Sequence, residues 1–199
     1  MPRGFLIAFE GLDQSGKQTQ AEALRDALGG AGRPCQVISF PDYNTAIGTE
    51  LHRALHGERD YTADVMQLLY VANRYETKGR IDCWLAEGLV VLCDRYVAST
   101  VAYGEAQGLD RAWLTDIQRF LPAADLTILL DIPPEVAARR KTANRDRYER
   151  DMELLSRVRQ SYQAQAAASP HWVVLQADRD RSVVSGAVRE AVASQLALL

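Results

Sequence analysis

The chain has 199 residues, 47% of them apolar, and a formal net charge of −3 from 23 Lys and Arg against 26 Asp and Glu. That length predicts one domain with a substantial core, and that charge argues against broad nucleic-acid binding. No apolar run is long enough for a membrane helix and no signal-peptide pattern is visible, so a cytoplasmic protein is expected. The cysteines, Cys35, Cys83 and Cys93, are odd in number and lack metal-ligand spacing. Cys35 and Cys93 sit in apolar runs and read as reduced core thiols. His52 and His56 stand i,i+4, but no further ligand accompanies them, which argues against zinc.

The first predicted strand, residues 5–9, runs into Glu10-Gly11-Leu12-Asp13-Gln14-Ser15-Gly16-Lys17-Gln18-Thr19. Gly11, Gly16 and Lys17 have the spacing of a phosphate-binding loop, G-x-x-x-x-G-K. Glycines let backbone N–H groups turn onto phosphate oxygens, and the helix predicted at 17–30 adds its positive end. The competing reading is a glycine turn with a solvated lysine; the flanking strand and helix favour phosphate. Gln18 occupies the place of the usual Ser or Thr, whose hydroxyl touches magnesium. The metal would then depend on phosphate oxygens, water, Asp94 and Asp13.

A second strand is predicted at 35–40, followed by Pro41-Asp42-Tyr43, and helices at 47–56 and 62–87. Tyr70 and Arg74 stand i,i+4 on the long helix and share a face. A ring beside a donor fork suits a nucleobase, and it equally suits an exposed cation–π pair. The third strand, 89–93, ends in Asp94-Arg95-Tyr96. Asp94 suits magnesium and Arg95 a phosphate clamp; the alternative is a surface ion pair worth little. On the next helix, 98–107, Ser99, Thr100 and Tyr103, with Tyr96 before them, have the spacing of one face.

A helix follows at 110–120, a strand at 125–131 and a helix at 134–141. The last leads into Arg139-Arg140-Lys141-Thr142-Ala143-Asn144-Arg145-Asp146-Arg147, which reads either as a solvated helix end or as a basic lid over a phosphoryl group. Asp146 and Glu149 have the i,i+3 spacing of a capping box for a helix at 147–168; metal or lid contact is the alternative. The chain closes with a strand at 172–176 and a helix at 182–197. Near-continuous apolar strands alternating with helices predict a three-layer α/β fold, a parallel five-stranded sheet with helices on both faces. Ligands in such a sheet bind beyond the carboxyl ends of the strands, where the polar motifs fall.

Phe9-Glu10-Gly11-x-Asp13-x-x-Gly16-Lys17-x-Thr19-Gln20, then Asp94-Arg95-Tyr96-x-x-Ser99, then Asp146-Arg147-Tyr148-Glu149 resembles the thymidylate kinase family over almost the whole chain. The resemblance implies a P-loop kinase fold with strand order 2-3-1-4-5 and a homodimer. It also implies transfer of the γ-phosphoryl group of ATP to dTMP with magnesium, giving dTDP for dTTP synthesis. It assigns ATP to Gly11, Asp13, Gln14, Ser15, Gly16, Lys17, Gln18, Thr19 and Arg139. It assigns dTMP to Asp13, Phe40, Pro41, Tyr43, Tyr70, Arg74, Arg95, Ser99, Thr100 and Tyr103, with Tyr70 stacked on thymine and Tyr103 crowding the 2′ position. Many relatives carry arginine where Tyr43 stands.

Some members hold a catalytic arginine in the P-loop, at the place of Gln14 here, so the lid supplies it instead. Lys17, Asp94, Arg95, Arg145 and Arg147 are the expected catalytic set, with Arg139 and Arg140 behind, and Asp13 and Asp94 the metal carboxylates. The lid is expected at about 140–150 within a single kinase domain spanning 1–199. The alternatives are a kinase for another pyrimidine nucleotide or a deoxynucleoside, and a non-catalytic nucleotide-binding regulator, for which Gln18 is the main support. A GTPase switch is disfavoured because no Asn-Lys-x-Asp motif is present.

Overall fold

The computed structural model describes residues 3–141, 148 and 151–196. Strands β1 (Phe5–Glu10), β2 (Cys35–Ser39), β3 (Val90–Asp94), β4 (Leu126–Asp131) and β5 (Trp172–Gln176) form one parallel sheet in the order β2-β3-β1-β4-β5. The helices are α1 (Lys17–Gly30), α2 (Ala46–Leu55), α3 (Ala63–Ala86), α4 (Val97–Ala106), α5 (Arg111–Asp116), α6 (Pro134–Arg140), α7 (Met152–Ala167) and α8 (Arg181–Leu196). The α/β class and the strand order are those expected.

The central strand β1 is buried on both faces, as its unbroken apolar run requires. Its side chains alternate between two clusters, following the period of two in a strand. Phe5, Ile7 and Phe9 pack with Ala21, Leu24 and Leu28 of α1 and Val184, Val188 and Val192 of α8. Leu6 and Ala8 pack with Ile81 and Leu85 of α3 on the opposite face. The edge strands β2 and β5 are only partly buried. Among the described residues, no helix is long and apolar enough to cross a membrane.

Two helices differ from the sequence reading. The helix expected to reach residue 120 ends at Asp116 and continues as tight turns, in which the N–H groups of Gln118, Arg119 and Leu121 each donate three residues back. The Gln118 amide donates to the carbonyls of Leu114 and Val97, holding that turn against α4. The helix expected from 147 starts at Met152, because Asp151 caps it by accepting from the Leu154 N–H at 2.9 Å. Asp146 and Glu149 lie outside the described residues. Of the cysteines, Cys93 is buried as expected, Cys35 is only partly buried and Cys83 is exposed.

Candidate active site

The carboxyl ends of β1 and β3 and the N-termini of α1 and α4 meet in one cleft of about 850 Å³. Its floor is the loop between β1 and α1. Gly11 has φ 137°, and a side chain there would put a Cβ 2.5 Å from the Leu130 carbonyl oxygen. Gly16, the residue before α1, has φ 94° and offers no side-chain cap, and no acidic residue occupies the first turn. The first N–H groups of α1 therefore lack the side-chain partner that Thr45, Asp110 and Asp151 give α2, α5 and α7. An uncapped positive helix end is an anion site.

Lys17 is buried and donates to the Leu12 carbonyl at 2.9 Å, under the loop. Burial and the nearby Arg95 lower its pKa, while Asp13, Asp94 and Glu10 oppose the shift. Gln14 is exposed with φ 64°, and its carbonyl accepts from Arg140 Nη1 at 2.9 Å. The other arm of Arg140 donates to the Ala177 carbonyl, bridging the loop to the segment after β5. Arg139 is exposed and does not line the cleft. Gln18 and Thr19 border the cleft; the Gln18 amide is turned along α1 to Glu22 at 3.0 Å. The Ser15 hydroxyl is buried without a partner.

Arg95 is the hub. Its backbone has φ 63°, a costly conformation for a residue with a side chain and one that gathers at functional sites. Its Nη2 donates to Asp13 at 2.8 Å and Tyr103 at 3.3 Å. Its Nη1 lies within 3.2–3.3 Å of Gly11 O, Ser99 Oγ and Tyr162 Oη. Burial alone would lower the Arg95 pKa, yet Asp13 and the two tyrosines hold it well above the usual value. Burial would likewise raise Asp13, but Arg95 and Lys17 keep its carboxyl well below the ordinary range. The guanidinium thus joins the phosphate loop to α4.

Glu10 and Tyr162 were not among the residues expected to build the site. Glu10 is fully buried at the end of β1 and accepts from the backbone N–H groups of Tyr96 and Ser99. It thereby serves α4 as a cap supplied from another element. Its second oxygen accepts from Ser99 Oγ and Tyr162 Oη. A carboxylate closing an apolar run was the signal for Glu10. Tyr162 carries no local signal, being a tyrosine at a buried position of α7.

Tyr43, Tyr70, Arg74, Phe40 and Pro41 also line the cleft, together with Ser99, Thr100 and Tyr103 of α4. Arg74 is buried and donates to Thr100 Oγ1 at 2.7 Å and Gln118 Oε1 at 3.3 Å, its guanidinium 5.8 Å from the Phe40 ring. Asn73 pins the wall in place by hydrogen-bonding both the N–H and the carbonyl of Asp42. Tyr43 is 44% exposed and meets His52 edge-on; the His52 and His56 rings stack 4.0 Å apart. Tyr96 departs from the expected face: it precedes α4, packs against Phe40 and donates to the Pro122 carbonyl.

Asp94 borders the cleft with one carboxylate oxygen buried and without a hydrogen-bond partner. Both oxygens of Asp13 are engaged, by Arg95 and by Tyr103. Of the two expected metal carboxylates, Asp94 is therefore the one with an oxygen not committed to another group. No cluster of three or more His, Cys, Asp or Glu suited to a metal exists among the described residues. Arg145 and Arg147 lie outside the described residues. Arg179 and Arg181, after β5, line the cleft although the motifs did not mark them.

A family model for thymidylate kinase matches residues 9–188. A thymidylate kinase of Arabidopsis thaliana is 35% identical over 195 residues, covering 98% of this chain and 73% of its own. One of Thermomicrobium roseum is 39% identical over 194 residues, with 92% of each chain covered. A human thymidylate kinase is 31% identical over 188 residues, covering 94% of this chain and 89% of its own. The solved structure of a thymidylate kinase from Candida albicans superposes with a TM-score of 0.83 at 29% identity, covering 96% of this chain and 92% of that one.

Proposed function

Because the chain belongs to the thymidylate kinase family, and so phosphorylates dTMP, we propose that its cleft brings ATP and dTMP together across Arg95. In the reaction a 5′-phosphate oxygen of dTMP forms a bond to the γ-phosphorus of ATP. The bond from that phosphorus to the bridging oxygen breaks, leaving ADP and dTDP. The observation that carries this reading is the position of the Arg95 guanidinium, within hydrogen-bond distance of Asp13 and Gly11 on one side and of Ser99 and Tyr103 on the other.

Little covalent work falls to the protein in phosphoryl transfer; it positions the reactants and balances charge. The amides of residues 11–17 and the Lys17 ammonium hold the donor phosphates. Arg95 exchanges its internal partners for phosphate oxygens and aligns acceptor with donor. Tyr70 stacks on the base, Arg74 donates to a ring carbonyl, and Tyr103 closes the sugar side. Arg145 and Arg147, backed by Arg139 and Arg140, would complete the charge balance from a lid at about 140–150 of a single kinase domain. A magnesium ion bound with the donor phosphates would neutralise part of their charge; Asp94 is the residue fitted to hold it.

Two expectations about setting belong to the same reading. A cytoplasmic location agrees with free thiols at Cys35, Cys83 and Cys93. A homodimer would use the outer face of α3, where Leu68 is 46% exposed while Met66 and Leu85 are buried in the core.

The testing experiment follows product formation from dTMP, dUMP, dCMP, UMP and thymidine with ATP and magnesium. Rapid dTDP formation with dTMP preferred is expected. Saturable nucleotide binding without any product would favour the regulator, and turnover of thymidine but not dTMP a deoxynucleoside kinase. A second prediction concerns the missing hydroxyl. Gln18→Ser leaves the magnesium requirement essentially unchanged, because Gln18 is engaged with Glu22. Asp94→Asn raises that requirement by about tenfold or more, for loss of a charge-assisted contact. A large gain in rate by Gln18→Ser at limiting magnesium would contradict the first, and an unchanged requirement in Asp94→Asn the second.

A further inference from the structure

One polar side chain is buried in the cleft wall without a partner. Gln67 lies on α3 one turn before Tyr70 and two turns before Arg74, so the three share a helical face. All three line the cleft. Gln67 is only 1% exposed, yet neither its Nε2 nor its Oε1 has a hydrogen-bond partner. A buried amide with both ends unpaired is destabilising in itself. An unbranched apolar residue would fill the same volume without that cost. The core does not account for it, since the adjacent Met66 already supplies the buried apolar contact on that turn.

We propose that Gln67 is a specificity-determining residue for the acceptor nucleotide, its amide hydrogen-bonding the imide N–H and a ring carbonyl of the pyrimidine. The inference rests on the reading of the Tyr70–Arg74 wall as the acceptor-base pocket. Arg74 offers donors only, so it can meet a ring carbonyl but not an imide N–H. The oxygens beside it, Thr100 Oγ1 and Gln118 Oε1, already accept from it. Gln67 Oε1 is a buried acceptor that has no such engagement, and Nε2 supplies a donor on the same planar group. That adjacent pair matches the N–H and C=O of a thymine-type edge. With Arg74 on the 4-carbonyl, the Gln67 amide spans the ring N3–H and the 2-carbonyl of thymine. Cytosine presents an amino group to Arg74, which cannot accept from it, and two acceptors, bare N3 and the 2-carbonyl, to Gln67. Whichever way the amide is turned, its Oε1 then faces an acceptor, so both residues favour thymine.

The test is Gln67→Met, which keeps an unbranched side chain and removes both polar ends. Kd for dTMP and for ATP, the dTMP and dCMP kinetics, and the thermal midpoint of the nucleotide-free protein are measured. The expected result is a rise of about tenfold in KM and Kd for dTMP, equivalent to ~1.4 kcal/mol. The fall in kcat should be smaller than the rise in KM, ATP affinity unchanged, and the preference for dTMP over dCMP reduced. The midpoint should hold or rise, since an unpaired amide is removed. An unchanged dTMP affinity overturns the proposal, whatever the midpoint does. Should Gln67→Met not fold, Gln67→Leu is measured in the same way. Tyr70→Ala, run in parallel, separates the two readings. If it weakens ATP rather than dTMP, the acceptor pocket itself is misassigned; if it weakens dTMP while the Gln67 variant does not, the Gln67 role alone is wrong.

Discussion

Replacing Arg95 with Met is expected to lower kcat for dTMP phosphorylation by about 10³-fold, in the range of a lost phosphoryl-stabilising arginine. The guanidinium has contacts on both sides of the cleft, with Asp13 at 2.8 Å and with Ser99 and Tyr103 at 3.2 and 3.3 Å. No single-point cation can make that set. Arg95→Lys should therefore recover little activity, because an ammonium lacks the planar fork and donates from one point. The same change should also lower stability, because Asp13, whose carboxylate is held ionised by Arg95 and Lys17, loses its closest partner. Arg95→Met combined with Asp13→Asn removes that unpaired charge and should restore stability without restoring rate. Single-turnover kinetics with thermal melts decide the matter. A kcat within about tenfold of the parent would mean that charge balance comes from elsewhere in the cleft.

Lys17→Met should lower kcat/KM for ATP by about 10²–10³-fold, comparable with removal of one preorganised donor at a developing charge. Affinity for dTMP should change little, since the side chains read as the acceptor pocket come from the segment after β2 and from α3 and α4. Wild-type protein offers an independent sign. Burial and Arg95 lower the Lys17 pKa, and in the role proposed for it the charged form is the one that would meet phosphate. As pH rises, kcat/KM for ATP should fall through that lowered pKa, earlier than a solvent-exposed lysine would require. Lys17→Arg should shift that alkaline limb upward, whatever its absolute rate. An alkaline limb identical in wild type and Lys17→Arg would remove Lys17 from the titration.

Much of the molecule was legible along the chain because its causes are local. The phosphate loop is a run of glycines and a lysine between one strand and one helix, and its conformation follows from the positive φ of Gly11 and Gly16. The strands are apolar throughout where the sheet buries both faces, as in Leu89-Val90-Val91-Leu92-Cys93, so their order of occurrence is plain. The helix ends were less legible. Where α5 gives way to tight turns depends on Gln118 reaching across to α4, and α7 begins where Asp151, rather than the capping box, supplies the accepting oxygen.

The class of fold, the glycine-rich loop and the motifs around it follow from the chain alone. Which side chains come together there is settled by the folded arrangement of the sheet. Glu10, Arg95, Ser99 and Tyr162 stand up to 152 residues apart and meet within hydrogen-bonding distance. Asp94 and Asp13 look alike in the sequence; one keeps an open oxygen and the other is spent on Arg95. The physical reason is range. Backbone turns and hydrophobic periodicity are set by neighbours along the chain, whereas partnership between polar groups depends on desolvation and on distances that exist only once the sheet has brought its strand ends together.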